Sequence, residues 1–151
     1  MYMEDKLITK EEKGEIYGKL HERLKKALKS GFWLEATMIE YNIIEDRTAA
    51  IIYYTGIASK PWEKKLTNKL NSIEQQLGKK HPILCEKVSP KTLQEIKEWK
   101  KKRNTAVHKA CYTLFEEEDF KAIAKEGKEL VRNISNDSLK VKRACEKGYA
   151  K

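Results

Sequence analysis

Arg103 and His108 are the residues of this chain whose types and spacing could do chemistry. They bound the stretch Arg103-Asn104-Thr105-Ala106-Val107-His108, which follows the basic run Lys100-Lys101-Lys102. Arginine stays charged and offers a fork of hydrogen-bond donors that fits phosphate. Histidine titrates near neutrality and can move a proton. Together they suit cleavage of RNA by its own 2′-hydroxyl. In that reaction a base removes the 2′ proton, a cation stabilises the charged phosphorane, and an acid protonates the departing 5′ oxygen. The amide of Asn104 can donate or accept beside the pair. The same spacing also arises by chance in basic helical chains, where His108 would be a partly buried, hydrogen-bonded histidine.

The elements that must position this pair read as helices. A first helix is expected from about Lys10 to Lys29, with a capping-box spacing at Thr9 and Glu12, an apolar stripe of Ile16, Leu20, Leu24 and Leu28, and Gly31 as its stop. A second, from about Trp33 to Thr55 and ending near Gly56, is apolar on nearly all sides and therefore central. A third begins at Ser59-Lys60-Pro61 and stops at Gly78, before a loop at Lys79-Lys80-His81-Pro82. Ser89-Pro90 opens a fourth as N-cap and first helical residue, with Leu93, Ile96 and Trp99 on its buried side.

The pattern predicts an interruption or bend near Lys102-Arg103-Asn104, with Asn104 or Thr105 capping a restart that runs through Ala106, Cys111 and Leu114. That break matters. In one unbroken helix, five steps turn about 140° beyond a full circle and the two side chains diverge. They converge more easily if Arg103 precedes a helix start and His108 lies a turn inside it. A last helix starts between Glu117 and Phe120, is expected to break at the polar stretch 133–138, and leaves a basic tail, 136–151, that is either mobile or a short extra helix. Ile83-Leu84-Cys85 is the one place with a short strand-like run. The expected fold is all-α, an antiparallel four- to five-helix bundle forming a single domain over 1–151.

The formal net charge of +9, from 32 Lys and Arg against 23 Asp and Glu, attracts polyanions at a distance. The three cysteines are far apart and form no CxxC pair, and the histidines do not flank them at zinc spacing. No structural zinc site, disulfide framework or other metal or cofactor is expected, and a reducing cytoplasm fits the cysteine usage. The first residues carry no apolar signal core. No run reaches the roughly 18 apolar residues that span a bilayer, so no membrane partner is expected.

Asp46 shares a side of the second helix with Ile39, Ile43 and Ala50, and a carboxylate on an inward face needs a partner. Arg103 is one such partner; Arg47 or a basic residue of the first helix is the other. Glu45, on the face with Tyr41 and Ile52, is the alternative support for Arg103. Lys100, Lys101 and Lys102 are candidates to hold an RNA backbone, or they form a solvated face. Tyr53, Tyr54 and Tyr112 could stack on bases, although core or dimer packing accounts for them more simply. His81, before Pro82, reads as a loop residue rather than a second base.

Arg-x4-His with Asn directly after the Arg, late in a small helical chain and preceded by Leu93-Gln94-Glu95-Ile96-Lys97-Glu98-Trp99, resembles the HEPN family (higher eukaryotes and prokaryotes nucleotide-binding). The specific part of the resemblance spans Leu93 to His108. It implies a homodimer in which the motifs of two copies face each other in one metal-independent ribonuclease site. Arg103 and His108 would be catalytic and Asn104 supporting, with a 2′,3′-cyclic phosphate and a 5′-hydroxyl as product ends. Many relatives act in antiphage defence or as toxins, often on transfer RNA, and others have lost catalysis. A toxin branch carries tyrosine two residues after the histidine, where this chain has Ala110; an antitoxin or regulatory partner is thus one expectation among several. Two competing readings accompany the ribonuclease: a basic bundle that binds RNA or DNA without cutting it, and a protein-interaction subunit.

Overall fold

The computed structural model describes residues 10–110 and 117–149. Every regular element among them is helical: α1 (Lys10–Ser30), α2 (Trp33–Tyr54), α3 (Leu66–Gly78), α4 (Pro82–Lys87), α5 (Pro90–Lys109) and α6 (Glu117–Ala144), with a 3-10 turn at Pro61–Glu63 and a π-helical turn at Cys145–Tyr149. Thr9, Cys111, Tyr112 and Leu114, named above, lie outside the described residues. None of these helices is long and apolar enough to cross a membrane.

Helix ends follow local chemistry. Gly31 (φ 76°) and Gly56 (φ 73°) take the left-handed conformation that closes α1 and α2. Behind them, Phe32 N–H donates to Ala27 O at 2.8 Å and Ile57 N–H to Ile52 O at 3.1 Å, so carbonyls left over at the helix ends are satisfied. α3 ends at Gly78 as expected, but Lys80 (φ 57°), not the glycine, holds the left-handed position, and His81 N–H donates to Gln76 O. The His81 imidazole then caps α4 by accepting from Leu84 N–H. That helix replaces both the expected loop end and the strand-like reading of Ile83-Leu84-Cys85, because Pro82 sits in its first turn where no N–H is needed. Ser89 caps α5 as expected, accepting from Thr92 N–H at 3.3 Å.

α2 is the axle. Ala36, Ile43, Ile44, Ile51 and Ile52 are buried on several of its sides, and it packs on α1, α3, α5 and α6. α1 lies antiparallel to it, as Arg23 meets Glu35 while Tyr17 meets Asp46. Its buried stripe is Leu24 and Ala27, with Tyr17, Leu20 and Leu28 partly covered. Ile16 is 45% exposed rather than part of the stripe. It sits about 80° from Leu24 around the helix, on the margin of the apolar arc.

Three further expectations are corrected. First, the bundle is not antiparallel throughout. Lys121 lies over Trp33, Gly127 abuts Glu40 and Lys142 lies over Tyr54, so α2 and α6 run parallel. Three helices intervene between them, and the up-down rule for neighbours joined by short loops does not govern such a pair. Second, α6 does not break at 133–138. Ile134, Asp137, Ser138 and Val141 continue its buried face, and Asp137 Oδ2 accepts from Ser89 N–H at 3.1 Å, so one of the polar residues serves as a tether to the start of α5. Residues 136–144 are thus part of α6, not a separate tail. Third, α5 runs unbroken from Pro90 to Lys109 through Lys102-Arg103-Asn104. Asn104 and Thr105 are exposed residues on its surface and cap no restart.

Candidate functional site

α5 positions the site through its buried face. Leu93, Ile96, Trp99 and Ala106 are buried, and the Trp99 indole N–H donates to Ile123 O of α6 at 2.8 Å. Arg103 stands one turn beyond Trp99 on nearly the same side. Its guanidinium lies over the Tyr41 ring of α2, 4.5 Å from the centroid, and Tyr41 in turn leans on Trp99 at 6.4 Å. Such stacking holds a flat cation by the negative face of the ring. Arg103 Nη1 donates to Asn104 Oδ1 at 3.0 Å, while its Nε is buried without a partner. Burial pulls the Arg103 pKa below its ordinary value, and the charges of Tyr41 and Glu45 oppose that shift. The guanidinium remains a cation at neutral pH.

Glu45 is therefore the carboxylate in electrostatic range of Arg103. It also pairs with Lys69 of α3, Oε2 to Nζ at 3.7 Å, and Lys69 Nζ donates to the Glu45 carbonyl at 3.4 Å. Lys69 is only 2% exposed, which makes it an unusual lysine and one that composition did not single out. Tyr41 was likewise not foreseen as a support, although its spacing of four from Glu45 on one helix places both on the Arg103 side.

Asp46 takes the other partnership considered for it. Tyr17 donates its hydroxyl to Oδ2, Arg47 donates to the same oxygen at 2.6 Å, and Lys13 approaches Oδ1 at 3.6 Å. Burial alone would raise the Asp46 pKa, but the hydrogen bonds from Tyr17 and Arg47 outweigh it and hold the carboxyl below its usual range. Burial, and then the Asp46 carboxylate, push the Tyr17 hydroxyl well above its own. This cluster ties α1 to α2, with Arg47 rather than Arg103 as the cation.

The lysine run fans out because successive residues turn about 100° around a helix. Lys100 donates to Thr67 of α3, Lys102 pairs with Glu126 of α6 at 3.3 Å, and exposed Lys101 has neither kind of partner among the described residues. His108 is exposed in the last turn of α5 beside Lys109. Among the described residues, Arg103, Asn104, Thr105, Val107, His108 and Lys109 line one open depression of about 560 Å³. Arg103 and His108 thus border the same hollow while leaving the unbroken helix in directions about 140° apart. Of the tyrosines, Tyr54 packs against the core, Tyr53 is 55% exposed, and Tyr112 is outside the described residues.

A third feature that sequence reading missed is Glu40. It is fully buried in α2, neither carboxyl oxygen has a hydrogen-bond partner, and burial pushes its pKa up to about 9. Only its heptad-like spacing from buried Ile43 and Ala36 could have flagged it. Among the described residues no group of three or more His, Cys, Asp and Glu side chains converges as a metal site. No protein-family model, curated protein or solved structure matches the chain.

Proposed function

We propose that this chain is an endoribonuclease of HEPN type that cuts RNA by 2′-hydroxyl attack, without a metal ion, at a site formed by two copies. The observation that carries the reading is the shared depression. Arg103 is preset there by the Tyr41 face and Asn104, with hydrogen-bonding capacity left for a phosphate, and His108 borders the same space. His108 takes the 2′ proton, the 2′ oxygen bonds to phosphorus as its bond to the 5′ oxygen breaks, and the 5′ oxygen leaves with a proton given by the His108 of the second copy. A cyclic phosphate and a 5′-hydroxyl result. Arg103 stabilises the phosphorane charge, and Lys101 holds the adjoining backbone. Glu45 keeps the guanidinium from turning away.

The unbroken α5 supports the two-copy requirement. One helix sends Arg103 and His108 apart, so a single phosphate meets both more readily if a second copy supplies one of them. The same divergence favours a second reading, a basic module that binds RNA without cutting it.

The deciding experiment is RNA cleavage with EDTA present, comparing wild type with His108→Ala and Arg103→Lys and reading the product ends. Cyclic phosphate made by the wild type alone is the expected result. Arg103→Lys keeps the charge but loses the fork, and is expected to lose about 10- to 1,000-fold in rate. Equal cutting by wild type and His108→Ala overturns the ribonuclease reading. Salt-sensitive binding without cutting, indifferent to His108, supports the second one.

A further inference from the structure

Away from the depression, two aromatic rings lie open to solvent at the far end of α2. Tyr53 is 55% and Trp62 54% exposed, and their ring centroids are 6.1 Å apart at an interplanar angle of 46°. Tyr53 is braced from behind by Tyr54, edge-on at 5.9 Å, and Tyr54 packs on the core. Trp62 is carried by the 3-10 turn whose Pro61 is buried, so the ring is displayed from an anchored backbone. Neither the Tyr53 hydroxyl nor the Trp62 indole N–H makes a hydrogen bond among the described residues.

The surroundings choose among partners. Exposed Lys60, Lys64 and Lys65 flank Trp62, against one carboxylate, Glu63. Lysine is depleted at the centres of protein interfaces, whereas aromatic faces set among lysines suit a stacked base beside its phosphate. Lys65 is two residues before Thr67, which accepts from Lys100 on the helix that carries Arg103. Along α2, Tyr53 lies twelve residues beyond Tyr41, on whose ring Arg103 rests, about 18 Å at the helical rise. That span corresponds to about five nucleotides of a stacked strand.

We propose that Tyr53 and Trp62 form a base-stacking subsite for single-stranded RNA, with Lys60, Lys64 and Lys65 holding its backbone. The identity of the strand as RNA rests on the ribonuclease reading; the stacking itself does not. A substrate would have to be unpaired about five nucleotides from the phosphate held at Arg103. Double-stranded RNA keeps its base faces covered and could not use the platform.

The test uses the full chain and a fluorescein-labelled 2′-O-methyl oligouridylate of about 12 nucleotides, which binds but cannot be cut. Trp62→Ala and Tyr53→Ala are expected to weaken binding roughly 5- to 100-fold, and Trp62→Phe to stay within about threefold of wild type. Affinity for a fully paired RNA should be unchanged, and circular dichroism melts should match the wild type because both rings are surface groups. Unchanged oligouridylate affinity in both alanine variants overturns the subsite and leaves protein binding as the use of the pair. Equal loss on paired RNA, or no binding by the wild type, also overturns it. Cleavage of ordinary RNA in parallel separates the two ideas. Loss of affinity in Trp62→Ala, alongside cutting that ignores His108, keeps the subsite and removes the ribonuclease. His108-dependent cutting with Trp62→Ala binding as wild type does the reverse.

Discussion

The Glu40 carboxyl occupies the space that a side chain at Gly127 would fill. A Cβ built on Gly127 collides with Glu40 Oε1 and comes within 2.8 Å of the Trp99 ring. The glycine lets α6 close on α2 and α5 at one point, and that closeness is what seals an acid with no partner inside the bundle.

Gly127→Ala is therefore expected to destabilise the fold by about 1–3 kcal/mol, since an extra methyl meets a packed wall. Helix propensity alone would favour alanine by up to about 1 kcal/mol. Urea denaturation reads the sign, and a gain in stability would contradict the close approach. Combining it with Glu40→Ala should give less than the sum of the two losses, because the shortened side chain vacates the contested space.

The stability of the protein should fall as pH rises through the range between the usual carboxylate value of 4.5 and about 9, where Glu40 titrates in the fold. In that window the folded chain keeps the Glu40 proton and the unfolded chain has lost it, so each pH unit weakens the fold by up to about 1.4 kcal/mol. Above the folded value both states are ionised and this dependence ends. Glu40→Gln removes the ionisation and should flatten this limb, with its advantage over wild type growing from mildly acid to alkaline pH. Parallel slopes for the two proteins in urea midpoints against pH would show that Glu40 is not sealed.

Tyr41 should act on Arg103 through its ring, not its hydroxyl. Tyr41→Phe keeps the stacked face and is expected to retain most RNA cleavage. Tyr41→Ala frees the guanidinium and should cost about 0.5–2 kcal/mol in kcat/KM, the range of a cation–ring contact. The measurement is kcat/KM for the three proteins with thermal melts alongside. If phenylalanine were as damaging as alanine, the ring would not be what presets Arg103.

Lys80 holds a left-handed backbone (φ 57°) at the end of α3, two residues past Gly78. A side chain there costs about 1–2 kcal/mol that glycine avoids, less the extra freedom glycine has when unfolded. Lys80→Gly is expected to stabilise by about 0.5–1 kcal/mol and to raise the melting temperature by a few degrees. A lowered melting temperature would mean that the stop of α3 is built differently.

Much of the helical layout was legible because its signals lie within one turn of the chain. Gly31 and Gly56 mark left-handed stops, Ser89-Pro90 marks a start, and the all-round apolar character of α2 marks the centre. Polar stretches misled where their partners lie far away. The 133–138 stretch reads as a break until Asp137 is seen to hold Ser89 N–H from 48 residues off. The run Lys102-Arg103-Asn104 reads as a boundary because Asn104 and Thr105 are cap-forming types, yet they are surface residues of a helix anchored by Trp99 and Ala106 on its opposite side.

By itself, then, the sequence determined an all-helical chain with a strong positive charge, the main helix ends, and the presence of Arg103, Asn104 and His108 near one another. Those follow from backbone preferences, apolar spacing and counting. Tertiary packing alone decided that α6 runs parallel to α2, that Asp46 turns to Tyr17 and Arg47, that Arg103 settles on Tyr41 within range of Glu45, and that Glu40 is shut against Gly127. A side chain on a half-buried helix face meets several polar groups of similar strength. The one it takes is set by which helix lies opposite and at what height, and that is fixed by how the whole apolar core closes rather than by any neighbour in the chain.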